Sequence, residues 1–103
     1  MSLTIAELTD HMHTFVASKG WYDGDSRRPQ TPRNLAASLA IESAEVLEHF
    51  QWGEVPKSKA DLASELADVG LYLLQLASVS GIDLEQAILD KLAVNQTRQW
   101  DTP

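Results

Sequence analysis

The sequence predicts an all-α fold of four helices. Apolar residues recur at three- and four-residue spacing through four segments, each opened by a Thr, Ser or Asp suited to capping a helix. No run alternates apolar and polar residues between turn signals, as a half-buried strand would.

The first segment opens at Thr4, where Thr4-x-x-Glu7 is a capping box, and carries Ile5, Leu8, Met12, Phe15 and Val16 until Gly20 stops it. Residues 21–30 lose all periodicity and read as a loop holding two aromatics. Thr31-Pro32 is a cap followed by a first-turn proline. Leu35, Leu39, Ile41, Val46, Leu47 and Phe50 then carry a long second helix to Trp52, with Gly53 and Pro56 behind it. Ser58-x-x-Asp61 starts a third helix, expected from Lys59 to Ser80 with Gly81 as its stop. Its apolar residues, from Leu62 to Val79, cover more than one face, so it is expected to be buried on several sides. Asp83-x-x-Gln86 caps a fourth helix, with Leu84, Ile88 and Leu92 facing inward and the pattern fading by Arg98. The tail, Trp100 to Pro103, reads as irregular.

At 103 residues, 44% hydrophobic and 22% charged, the chain is expected to be one ordered domain spanning 1–103. A chain this short buries only about two-thirds of its unfolded surface, which favours assembly. Cysteine is absent, excluding disulfides, thiolate metal sites and a cysteine nucleophile. No basic stretch precedes an apolar run at the N-terminus, and no run approaches the about 18 apolar residues of a membrane span. The expected location is cytoplasmic, with no membrane partner. A net charge of −7 argues against nucleic acid as a partner, because that work needs a basic footprint. It leaves open a phosphorylated small molecule bound through divalent cations.

The informative feature is a near-repeat, Glu42-Ser43-Ala44-Glu45 on the second helix and Glu65-Leu66-Ala67-Asp68 on the third. Residues three apart share a helical face, so each pair can converge on one point. If the two helices form an antiparallel hairpin, four carboxylates meet across it, and an all-oxygen set favours Mg²⁺ or Mn²⁺. The plainer alternative is two solvated faces of amphipathic helices. Lys91, Asn95 and Arg98 form one stripe able to grip phosphate oxygens, or else an ordinary polar stripe. Trp21, Trp52 and Tyr72 suit a planar base, or, for Tyr72 above all, plain core packing. His11, His13 and His49 read as structural, and Glu-x-x-His of di-iron sites is missing, since His49 is four from Glu45.

Five blocks in order resemble a known family: Thr31-Pro32-Arg33-Asn34-Leu35; Glu42-x-x-Glu45; Phe50-Gln51-Trp52; Glu65-Leu66-Ala67-Asp68-Val69 with Tyr72; and Lys91-x-x-x-Asn95-x-x-Arg98. They are similar to the MazG-like all-α nucleotide pyrophosphohydrolases, most of all to the dCTP pyrophosphatase branch, over residues 21–98. The resemblance implies a four-helix MazG-like bundle assembled as a homodimer or homotetramer. It also implies Mg²⁺-dependent cleavage of a nucleoside triphosphate, dCTP or a modified pyrimidine nucleotide included, to monophosphate and pyrophosphate. By the same resemblance Glu42, Glu45, Glu65 and Asp68 hold metal, Glu42 or Glu45 orients the water, and Lys91, Asn95 and Arg98 take phosphates. Trp21, Trp52 and Tyr72 then enclose the base, with Gln30 and Asn34 as the nearest edge-reading amides. Gln30 stands where the branch often has a histidine. Two rival readings remain: a non-catalytic helical module with an acidic cation-binding groove, and a hydrolase of another pyrophosphate such as phosphoribosyl-ATP.

Overall fold

A computed structural model describes residues 2–99 of the chain as four helices, with no strand among them. They are α1 (Ile5–Ser18), α2 (Pro32–Glu48), α3 (Lys59–Val79) and α4 (Leu84–Thr97). The irregular tail expected at Trp100 to Pro103 lies outside the described residues.

Each helix starts where its cap residue dictates. The Thr4 hydroxyl accepts from the Glu7 backbone N–H at 3.1 Å while Glu7 Oε1 accepts from the Thr4 N–H at 3.0 Å, so two orphan donors are satisfied reciprocally. The Thr4 backbone N–H first, and the Thr4 hydroxyl second, hold the Glu7 carboxyl below its ordinary value. Thr31, Ser58 and Asp83 cap α2, α3 and α4 with the side-chain half of that pattern alone, each accepting from the backbone N–H three residues ahead, with Pro32 in the first turn of α2. Gly20 and Gly81 take φ of +75° and +71° just past α1 and α3, a region that costs any residue with a Cβ.

α2 ends four residues short of the expected Trp52. From His49 the backbone turns to three-residue hydrogen bonds, His49 N–H to Val46 O at 3.2 Å and Phe50 N–H to Leu47 O at 2.9 Å, which tighten the chain out of the helix. Trp52 is consequently carried off the helical face that would have held it.

α2 and α3 pack most extensively, and their register is antiparallel. His49 meets Glu65, while farther back on α2 Asn34 and Leu35 share a cleft with Tyr72 and Gln75. α1 crosses α3 with His13 against Ser78, and Met12, Val16, Leu35 and Ala77 are the buried apolar centre. That centre is small. Two expectations fail in the single chain for this reason: α3 is not covered on several sides, since Leu66, Leu71, Leu73 and Val79 are exposed, and Ile88 and Leu92 of α4 are exposed as well. α3 is also long and apolar enough to cross a membrane by length and composition, contrary to the sequence reading, although Glu65 and Asp68 lie within it against α2.

Candidate active site

The antiparallel register brings the two acidic pairs together. Glu42, Glu45, Glu65 and Asp68 are all half-buried. Burial, then a side-chain hydrogen bond with Glu45, then the charges of Glu45, Asp68 and Glu65 push the Glu42 carboxyl above its ordinary value. Like charges gathered on two facing helices make each further ionisation costlier, and a positive charge held among them would relieve that cost. No lysine or arginine forms an ion pair with the four among the described residues; the partner present is His49, whose Nε2 lies 3.1 Å from Glu65 Oε2.

A carboxylate only accepts, so His49 donates through Nε2 and holds Glu65 in place. His49 is buried, and its Nδ1 has no hydrogen-bond partner among the described residues. The donor chemistry fits a hard divalent ion: oxygen ligands and crowded negative charge. Among the described residues no three of these groups yet surround one point, so coordination requires side-chain rotation toward a common centre.

Beside the acids, a cleft of about 700 Å³ opens between α1, the 19–31 loop, the first half of α2 and the middle of α3. Asp68 lines it together with Trp21, Gln30, Asn34 and Tyr72, so five residues singled out from sequence meet at one place. Glu45 and Glu65 line a smaller neighbouring depression with His49 and Lys57. The acidic cluster thus spans from that depression to the cleft wall. Trp21 packs edge-on against Phe15, with ring centroids 5.7 Å apart, and the Arg28 guanidinium sits 5.6 Å from its ring centre.

Four residues of the sequence-derived set are placed elsewhere. Trp52 is 87% exposed and lines a separate shallow depression with Glu48, Val55 and Lys57, because α2 ends before it. Lys91, Asn95 and Arg98 do not line the cleft of their own chain, since α4 packs on α1 and α3 and not on α2.

The polar floor of the cleft escaped the sequence reading. Gln75, only 3% exposed, donates from Nε2 to Gln30 Oε1 at 2.7 Å and to the Tyr22 hydroxyl at 3.2 Å. Both its N–H groups are therefore used, and the Tyr22 hydroxyl is hydrogen-bonded in turn with His13 Nδ1. His13 Nε2 is paired with Ser78 Oγ at 2.7 Å. Burial pushes the Tyr22 phenol up, against the Gln75 bond, which keeps it a donor. Gln30 Nε2 donates to Arg28 O at 2.6 Å, so its amide is held at both ends. A buried Gln at a core position of α3 was the one available signal for this network. His11 also lines the cleft, so none of the three histidines is a bystander.

The chain is similar to known proteins in both sequence and fold. The model of the MazG-like family matches residues 37–102. Human dCTP pyrophosphatase 1 is 36% identical over 93 residues, covering 82% of this chain and 52% of that protein. A dATP/dGTP diphosphohydrolase of Cyanophage S-2L is 47% identical over 36 residues, covering 35% of this chain and 34% of that protein. The solved structure of a pyrophosphatase from Archaeoglobus fulgidus superposes with a TM-score of 0.77 at 35% identity, covering 93% of this chain and 92% of that one. The chain spans about half the length of the dCTP pyrophosphatases it matches. A helical arrangement shared with a pyrophosphatase and a family match running through both acidic pairs identify the chain as a member of the MazG-like family.

Proposed function

We propose that this protein hydrolyses a nucleoside triphosphate, with dCTP or a modified pyrimidine nucleotide as the first candidates, to monophosphate and pyrophosphate. The observation that carries the reading is the position of Asp68, which belongs to the acidic cluster and also lines the aromatic cleft. A base in the cleft would therefore have its phosphates beside the carboxylates. The names of the relatives support the substrate class.

Glu42, Glu45, Glu65 and Asp68 would hold Mg²⁺ or Mn²⁺, which supplies charge neutralisation and Lewis acidity at the phosphates. Glu42 or Glu45 orients the attacking water and accepts its proton. His49 fixes the orientation of the Glu65 carboxylate through its hydrogen bond. Trp21 and Tyr72 bound the base, and the doubly held Gln30 amide and Asn34 offer hydrogen bonds to its edge. In this reading Trp52, Lys91, Asn95 and Arg98 reach a nucleotide only across an interface between copies. The cytoplasm, where triphosphates and Mg²⁺ are abundant, is the location that goes with this chemistry.

A nucleotide panel assayed with Mg²⁺ or Mn²⁺ should release pyrophosphate and no orthophosphate. Orthophosphate as the product would overturn the assigned bond, and no turnover of any nucleotide would overturn the reading.

Assembly as a homodimer or homotetramer belongs to the same proposal. The chain exposes 8060 Å², against roughly 5,800 Å² for a compact monomer of 11.4 kDa. Its radius of gyration is 16.4 Å where about 13 Å is usual for this length. The excess coincides with the bare apolar residues of α3 and α4, and a second copy covers them. Sedimentation should give a dimer or tetramer at micromolar concentration; a stable monomer counts against it.

A further inference from the structure

We propose that Arg27 and Arg28 form an anion subsite in the cleft, receiving phosphate groups of its ligand. This deepens the nucleotide reading, on which it rests for the ligand's class, and adds a cationic contact from the 19–31 loop of the same chain. The two guanidinium groups line the same cleft as Asp68 and the aromatics, whereas Lys91 and Arg98 do not. A polyanion entering that space meets one carboxylate, Asp68, and two guanidinium side chains in its lining.

Their surroundings are unusual for surface arginines in an acidic protein. The chain carries a net charge of −7, and Asp23 and Asp25 lie in the same loop. Yet neither Arg27 nor Arg28 forms an ion pair among the described residues, where the recorded pair is His49–Glu65. Arg28 instead has its guanidinium carbon 5.6 Å from the Trp21 ring centre, a cation–π contact that leaves its N–H fork without a carboxylate among the described residues. The loop backbone beneath is tied down, with Ser26 Oγ accepting from the Arg28 N–H at 3.0 Å and the Arg28 carbonyl accepting from Gln30. A guanidinium held this way matches two phosphate oxygens at once, and two in sequence suit linked phosphates.

Calorimetric titration of the full chain with inorganic pyrophosphate, in chelator so that no divalent ion bridges it to the acids, tests the subsite. Wild type should bind. Arg28→Ala should weaken binding several-fold, and Arg27→Ala with Arg28→Ala tenfold or more, with helical circular dichroism unchanged. Lys59→Ala removes one positive charge at the start of α3, away from the cleft, and should leave binding within twofold. Failure of wild type to bind, equal binding by the double variant, or an equal loss in Lys59→Ala would each overturn the proposal. Absence of nucleotide hydrolysis with pyrophosphate binding intact would instead overturn the pyrophosphohydrolase reading and leave the subsite standing.

Discussion

Glu65→Gln should lower kcat by about 100-fold or more while leaving the helices folded. Replacing a group that merely supports a metal ligand costs roughly 10- to 100-fold, so neutralising a ligand costs at least the upper end of that range. The amide keeps the size of the side chain and can still meet His49 Nε2, now as an amide oxygen accepting in place of a carboxylate. Stability moves the other way at Glu42. Its carboxyl is raised in the folded state, first by burial, so the ionised form opposes folding above that raised range and the opposition is relieved as pH falls through it. Metal-free Glu42→Gln should therefore melt higher than wild type near neutral pH. A like-charged pair at helical spacing costs roughly 0.2–0.5 kcal/mol, which corresponds to about 1–4 °C for a chain of this size. Thermal melts with and without Mg²⁺, beside steady-state rates, check both. A Glu65→Gln enzyme at wild-type rate removes the metal assignment, and a Glu42→Gln protein that melts lower removes the charge-crowding argument.

Trp21→Ala should raise KM for every nucleotide by about 5- to 150-fold with a smaller change in kcat. Base–aromatic stacking contributes about 1–3 kcal/mol and depends little on which base is present. Trp21 is the aromatic of the loop that lines the cleft, braced by Phe15 edge-on and by Arg28 over its ring. Gln30→Ala should act differently, changing the ratio of kcat/KM between bases, because hydrogen bonds to the ring edge discriminate where stacking does not. Competition kinetics with paired nucleotides separate the two effects. A Trp21 variant that loses only one base, or a Gln30 variant with its base ratio intact, would require a different binding pose.

Helix existence, every start and the stops of α1, α3 and α4, though not that of α2, were legible in the sequence because they are local. Thr4, Thr31, Ser58 and Asp83 each satisfy a backbone N–H three residues ahead, and Gly20 and Gly81 take a conformation other residues resist. The two acidic pairs were legible for a similar reason, since three-residue spacing sets a common face before any packing occurs. Where those faces lead was decided only in three dimensions. The switch to tighter turns at His49 turned Trp52 away from the cleft, and no composition rule distinguishes that turn from one more helical turn. Gln75 reaches Gln30 across 45 residues of chain and His49 reaches Glu65 across 16, so neither pairing leaves a periodic trace. The apolar excess of α3 was visible in the sequence as a buried helix, yet the chain alone leaves it bare. Hydrophobic pattern records how much surface must be covered; only the tertiary structure shows how much of that covering the chain itself provides.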